Sequence, residues 1–244
     1  MRRYGLIGYP LGHSFSQRYF TEKFEREGIS DCTYSNFSLG QIGELPAVLG
    51  DAALCGLNVT IPYKEQVISF LDALSPVVEE IGACNCIRVA DGMLTGHNTD
   101  VVGFERSLVP QLAAHHRRAL VLGTGGASKA VEYVLRKLGI AYRLVSRRPR
   151  LDTGDLGYED VDAGLLGLST LVINTTPVGM YPHADECPPL PYEALTPGHY
   201  LYDLIYNPER TLFLRNGEQR GAVVKNGQEM LVLQAEESWR IWNA

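Results

Sequence analysis

Residues 119–128, ALVLGTGGAS, carry an apolar segment (119–122) into a glycine turn at Gly123, Gly125 and Gly126. The helical pattern ASKAVEYVLRKL follows without a break at 127–138. Strand, glycine turn and helix in that order aim unpaired helix N–H groups and the positive end of the helix dipole at a phosphate. Gly123 is expected to make the tight turn, Gly125 to let the backbone approach a pyrophosphate, and Ala127 to open the helix. Ser128 stands where a third glycine would, small enough for close helix–strand packing. A second strand is expected at 142–145 (YRLV), completing a βαβ unit of the size a dinucleotide needs. A protein selective for NAD presents an acid to the ribose 2′-OH at the end of that strand. This chain reads Ser146-Arg147-Arg148-Pro149-Arg150 there, with no acid before Asp152. Guanidinium forks pair with phosphate oxygens, so this turn predicts a 2′-phosphate and hence NADP.

The whole chain narrows the field. Its 244 residues can bury a sizeable core, in one large domain or two small ones. Hydrophobic residues make up 45% and charged residues 20%, as in an ordinary soluble globular protein. Net charge is −6, so there is no global basic footprint for nucleic acid. The five cysteines follow no disulfide framework, and Cys84 and Cys86 lack the second pair of ligands a structural zinc site needs. No metal is expected. The apolar run after Arg2 and Arg3 is broken by Pro10, Gly12 and His13, and no 18-residue apolar span occurs. These features predict a cytoplasmic protein with reduced thiols and no membrane partner.

Outward from the glycine turn, the second half alternates strands with helices, as a parallel sheet requires. Strands are expected at 170–174, 200–204 and 222–225, helices at 211–217 and 227–242, and a polar segment at 152–168. The first half predicts strands at 4–9, 33–37 and 56–63, with helices at 17–27, 41–49, 65–71 and 101–112. A hairpin is expected from 81–89 and 93–97 around Ala90-Asp91-Gly92. Ligands in α/β layers collect at the carboxyl ends of strands. Asn58, Thr60 and Lys64 lie at the carboxyl end of one such strand. Ser14 and Ser16 lie at a strand-to-helix junction where a cap needs one serine only, leaving the second to face a ligand. Asp100 admits two readings: N-cap of the helix it opens, or a catalytic carboxylate beside a lysine. Gln234 is the polar exception on an apolar C-terminal helix whose Trp239 and Trp242 read as packing.

Eight motifs then occur in order: GYPLGHSFS (8–16), NVTIPYK (58–64), GACNC (82–86), HNTD (97–100), GTGGAS (123–128), NTTPVGM (174–180), YDLIYNP (202–208) and NGQEMLVLQA (226–235). With them the chain resembles the shikimate dehydrogenases along its full length. The resemblance implies a two-domain α/β fold. An N-terminal α/β substrate domain (1–100) would be joined by a C-terminal helix (227–244) returning to it, beside a Rossmann-type NADP-binding domain (101–226). It implies reversible reduction of 3-dehydroshikimate to shikimate with NADPH, in the pathway to chorismate and the aromatic amino acids. Lys64 and Asp100 would be catalytic. Ser14, Ser16, Asn58, Thr60, Asn85, Thr99, Tyr206 and Gln234 would hold the substrate. Gly123, Gly125, Gly126, Ala127, Ser146, Arg147, Arg148, Leu204 and Gly227 would hold the nucleotide. Small molecules are the implied partners, and the protein would act as a monomer or homodimer. Cys86, His97 and Ser146 depart from the family's usual Thr, Tyr and Asn. The alternatives are a quinate or dual quinate/shikimate dehydrogenase, which would want an acid near position 146, and a catalytically silent nucleotide-binding regulator.

Overall fold

The structure is a computed structural model and describes residues 1–12, 14–150 and 152–244. The chain divides into two compact units, Met1–Val102 with Leu231–Ala244, and Gly103–Met230. In the first unit the elements are β1 (Arg2–Gly8), α1 (Phe15–Glu27), β2 (Cys32–Ser38), α2 (Leu45–Leu49) and β3 (Leu54–Val59). These are followed by β4 (Ala73–Leu74), α3 (Pro76–Ile81), β5 (Cys86–Ala90) and β6 (Met93–His97). The strands form one sheet in the order β2-β1-β3-β5-β6-β4. It is parallel among β2, β1 and β3, and antiparallel from β3 through β5 to β6.

Alternation along β1 loads both faces of that sheet. Tyr4 and Leu6 pack with Phe20 and Phe24 of α1, and with Ile241 and Trp242 near the C-terminus. Ile7 faces the other way, onto Leu57, Val59, Val67 and Val78. The two tryptophans are packing residues, as the sequence suggested: Trp239 and Trp242 both pack their rings against Tyr4. The expected hairpin is present, closed by Asp91 (φ 52°) and Gly92 (φ 75°). Two successive positive φ angles make the turn whose twist suits a two-residue hairpin, which is why Asp-Gly sits there.

Helix α4 (Asp100–Leu108) leads into the second unit. There follow β7 (Arg118–Leu122), α5 (Gly126–Lys137), β8 (Ala141–Val145), α6 (Ala163–Leu168), β9 (Leu171–Asn174), β10 (Tyr200–Asp203), α7 (Leu212–Gln219) and β11 (Val223–Lys225). Helix α8 (Gln228–Trp242) ends the chain. The second sheet runs β11-β10-β9-β7-β8, every pair parallel. Its central strands read as unbroken apolar runs because helices cover both faces. Leu120, Leu122, Val172 and Leu201 pack with Leu166 and Phe213 in one core. Strand order reverses between β7 and β9, which marks the ligand crevice of an open α/β sheet.

Several expectations need correction. Ile81, expected to open a strand, instead ends helix α3, which the sequence pattern does not announce: Pro76 opens it and Gly82, at φ 63°, closes it. The strand begins only at Cys86. The segment expected as a helix at 65–71 is a 3-10 turn, Gln66–Phe70. The helix after Asp100 stops at Leu108 because Pro110 has no N–H to continue the ladder, and a 3-10 turn finishes it. The polar segment 152–168 ends in α6, capped by the Asp162 side chain, which accepts from the Leu165 N–H.

Candidate active site

In the first unit the ends of β3, β5 and β6 and one face of α8 enclose a polar cluster. Asn58 is buried at the end of β3. Its Oδ1 accepts from the Tyr34 hydroxyl at 2.9 Å, and its Nδ2 donates to Ser238 Oγ at 2.9 Å. Burial holds the Tyr34 phenol well above its ordinary pKa, so it stays a neutral donor. Asn85 and Thr99 clasp each other. The Thr99 N–H donates to Asn85 Oδ1 at 2.6 Å, and Asn85 Nδ2 donates to Thr99 Oγ1 at 3.0 Å. Gln234 Oε1 lies 3.3 Å from the same hydroxyl. Asn58, Asn85, Thr99 and Gln234 are thus brought together. Ser16 sits half-buried in the first turn of α1. Ser14 caps α1, accepting from the Gln17 N–H at 3.2 Å. Thr60 is fixed by its backbone, donating to Ile7 O and accepting from the Tyr63 N–H.

Lys64 and Asp100 meet. Their Nζ–Oδ2 distance is 2.6 Å, and their side chains are only 16% and 11% exposed. The alternative role of Asp100 as helix cap falls to a neighbour: Asn98 Oδ1 accepts from the Val101 N–H at 3.3 Å. Asp100 is thereby left to the lysine. The Lys64 carbonyl accepts from the Cys84 N–H at 2.7 Å, which ties the lysine's backbone to the segment leading into β5. Cys86, the unusual residue of the resemblance, is fully buried between the aromatic core and the polar cluster.

The second unit supplies a different kind of surface. Gly123, at φ +107°, turns the chain out of β7, and a side chain there would strike Thr175 of the loop after β9. Gly125 precedes α5 with no side-chain cap on that helix, and a Cβ at Gly125 would meet nothing within 4 Å. Gly126 and Ala127 form the helix's first turn. Ser128 points inward, its hydroxyl donating to the Gly125 carbonyl at 2.7 Å. In the turn after β8, Ser146 Oγ accepts from the Arg148 N–H. Arg147 and Arg148 are exposed and, among the described residues, make no ion pair. Arg150 is spoken for: it pairs with Asp155 at 2.8 Å. Leu204 and Gly227 meet each other after β10, with no room for a Cβ between them. Tyr206 follows in the same loop and therefore belongs to this unit, whereas the other substrate candidates belong to the first.

Sequence reasoning missed the residues that support these. Asp203, fully buried at the end of β10, accepts from Asn174 Nδ2 at 3.0 Å, the Ile205 N–H at 3.1 Å and Thr211 Oγ1 at 2.6 Å. Burial pushes its carboxyl up to about 7, against the pull of those donors. Asn174 in turn accepts from Thr176, so one network holds the loops after β9 and β10. Asn174 and Asp203 lie inside the motifs NTTPVGM and YDLIYNP, which were signals available in the sequence. Ser238 lies four residues after Gln234, on the same helix face.

A mixed α/β unit with a polar interior, followed by a parallel unit with a glycine turn at its switch point, defines a two-unit protein of the Rossmann-type dinucleotide-binding class. The family profile described as the shikimate dehydrogenase substrate binding domain matches residues 6–87. The NADP(+) shikimate dehydrogenase of Desulforamulus reducens is 35% identical over 98% of this chain and 88% of its own. The shikimate 5-dehydrogenase of Thermus thermophilus, solved with NADP(H) and shikimate, is 32% identical at TM-score 0.87, covering 99% of this chain and 93% of that one. Quinate dehydrogenase from Corynebacterium glutamicum, solved with NAD, is 26% identical at TM-score 0.86, covering 99% and 93%. The chain belongs to the shikimate dehydrogenase family.

Proposed function

We propose that this protein catalyses the NADP-dependent, reversible reduction of 3-dehydroshikimate to shikimate. The observation that carries the reading is the Lys64–Asp100 contact at 2.6 Å, largely shielded from water beside a cluster of amides and hydroxyls. NADPH, when bound, supplies the hydride. Negative charge grows on the ketone oxygen as it is reduced; the Lys64 ammonium stabilises that charge and donates a proton at that oxygen. Asp100 fixes the ammonium's position. Asn58, Asn85, Thr99 and Gln234 satisfy ring hydroxyls, and a ligand lacking one leaves a buried partner unpaired. Ser14, Ser16, Thr60 and Tyr206 complete the substrate set.

The second unit's residues fit NADP. The uncapped start of α5 and the open space before Gly125 suit a pyrophosphate, and Arg147 and Arg148 suit a 2′-phosphate. Gly123, Gly126, Ala127, Ser146, Leu204 and Gly227 shape the rest of that site. The substrate half is the first unit with its returning helix, and the nucleotide half is the second. The missing acid after β8 favours this reading over an NAD-preferring quinate dehydrogenase, and the intact Lys64–Asp100 pair favours it over a silent regulator. The ligands are small molecules. Among the described residues no helix is long and apolar enough to cross a membrane. A cytoplasmic monomer or homodimer completes the proposal; the five free cysteines bear on the compartment alone.

The test is initial rate on the purified protein with shikimate or quinate, each with NADP or NAD. Activity confined to shikimate with NADP is expected. Preference for quinate with NAD would overturn both the substrate and the Arg147 argument, and inactivity in every combination would favour the silent regulator.

A further inference from the structure

Ser238 is fully buried on α8, and three polar groups converge on its hydroxyl. Its oxygen lies 2.9 Å from the Gln234 carbonyl, 2.9 Å from Asn58 Nδ2 and 3.1 Å from Thr99 Oγ1. We propose that Ser238 is a positioning residue of the substrate site, setting which polar atoms Asn58 and Thr99 have left to offer the substrate. The inference rests on the function proposed above, which makes Asn58 and Thr99 ligands of a hydroxylated ring.

The argument is a count of protons and lone pairs. A hydroxyl has one proton and two lone pairs. The Gln234 carbonyl can only accept, so the Ser238 proton goes there. Both lone pairs are then taken, one by an Asn58 amide N–H and the other by the Thr99 hydroxyl. Backbone groups fix the amide orientations independently. Asn85 Oδ1 must face the Thr99 N–H, and Asn58 Nδ2 must face the Asn85 carbonyl at 3.4 Å. With Tyr34 donating to Asn58 Oδ1, Asn58 has spent both amide protons and keeps one lone pair. Asn85 has given one amide proton to Thr99 and keeps the other. Thr99, its proton given to Ser238 and one lone pair to Asn85, keeps one lone pair; Asn58 and Thr99 therefore offer acceptors only, and Asn85 adds a donor.

Loss of the Ser238 oxygen strands an Asn58 N–H. It also turns the Thr99 proton toward Gln234 Oε1 at 3.3 Å or Asn85 Oδ1 at 3.2 Å, both of which belong to the site. Ser238 does this without itself touching the substrate.

The experiment compares Ser238→Ala and the near-isosteric Ser238→Cys with the parent, by steady-state kinetics in shikimate and NADP and by thermal melting. Both variants are expected to raise KM for shikimate about tenfold, the loss of roughly one buried hydrogen bond. Turnover should stay within about threefold, and KM for NADP should be unchanged, because hydrogen-bond loss in the first unit spares the nucleotide site. Ser238→Cys keeps the packing, so it reads the hydrogen bond even where Ser238→Ala melts early. A Ser238→Cys variant with the parent's KM for shikimate overturns the inference, as does a uniform fall in turnover with no rise in that KM. Either result leaves the functional reading standing. A parent that neither turns over nor binds shikimate sinks the functional reading and this inference with it.

Discussion

The two units prepare for their ligands in opposite ways. In the first, Asn58, Asn85, Thr99 and Ser238 are buried and hydrogen-bonded to one another. In the second, the groups proposed to meet the nucleotide are left open: α5 lacks a side-chain cap, Gly125 faces empty space, and Arg147 and Arg148 have no carboxylate partner among the described residues. The difference follows from the ligands. The hydroxyls of a small ring are told apart by donors and acceptors held in fixed directions, and only a satisfied network fixes directions in a buried place. A pyrophosphate carries its own charge, so exposed N–H groups and guanidinium forks hold it without prior partners.

The largest test of this contrast lies in the first unit. Lys64→Ala should lower turnover by about 10³-fold while leaving shikimate affinity nearly intact, because the ammonium acts mainly on the transition state. Normal turnover would remove Lys64 from the chemistry. In the second unit, Arg147→Ala should weaken NADP binding by roughly 10- to 100-fold and NAD binding by less than about twofold, the worth of a charge-assisted bond. Titration calorimetry with both nucleotides decides it, and equal losses would show that Arg147 does not read the 2′-phosphate.

Gly125→Ala sharpens the comparison further. The added methyl meets nothing in the free protein, so melting should shift by no more than about a few degrees. Affinity for NADP and NAD alike should fall about tenfold, since the methyl occupies the approach to the pyrophosphate. A marked drop in melting temperature with unchanged affinity would assign Gly125 to folding alone.

Asp203 is the closed network of the second unit, and it titrates. Its folded pKa of about 7 lies above the ordinary carboxylate value near 4. Between those pH values the folded chain holds a proton that the unfolded chain has released. Stability from this group is therefore full below about pH 4 and is lost as pH rises toward 7. Asp203→Asn removes the titration, so the parent should lose stability relative to the variant between about pH 4 and 7, with parallel curves counting against the assignment. The smallest effect is expected at Arg150. Already paired with Asp155, it should change NADP affinity by less than about threefold when replaced by Ala. A loss as large as that of Arg147→Ala would mean the ion pair opens for the nucleotide.

By itself, the amino-acid sequence determined what depends on near neighbours. The strand–glycine–helix turn at 119–128, the Asp91-Gly92 hairpin and the basic turn after β8 are all written within a few residues, so local propensity suffices to read them. Ordered motifs did the rest, naming Lys64 and Asp100 before their side chains were seen to meet. Tertiary structure decided the pairings. Local reading gave Arg147, Arg148 and Arg150 equal standing, and the ion pair with Asp155 withdrew Arg150. It allowed Asp100 to be a cap, and Asn98 took that role. It passed over α3, whose six residues are too few for a helical period to stand out. Ser238 and Asn58, 180 residues apart, meet only because α8 packs on the sheet that ends β3 beside it. Propensity acts over a turn of chain, whereas a buried hydrogen bond is fixed by sheet register and helix packing, which no short window of sequence contains.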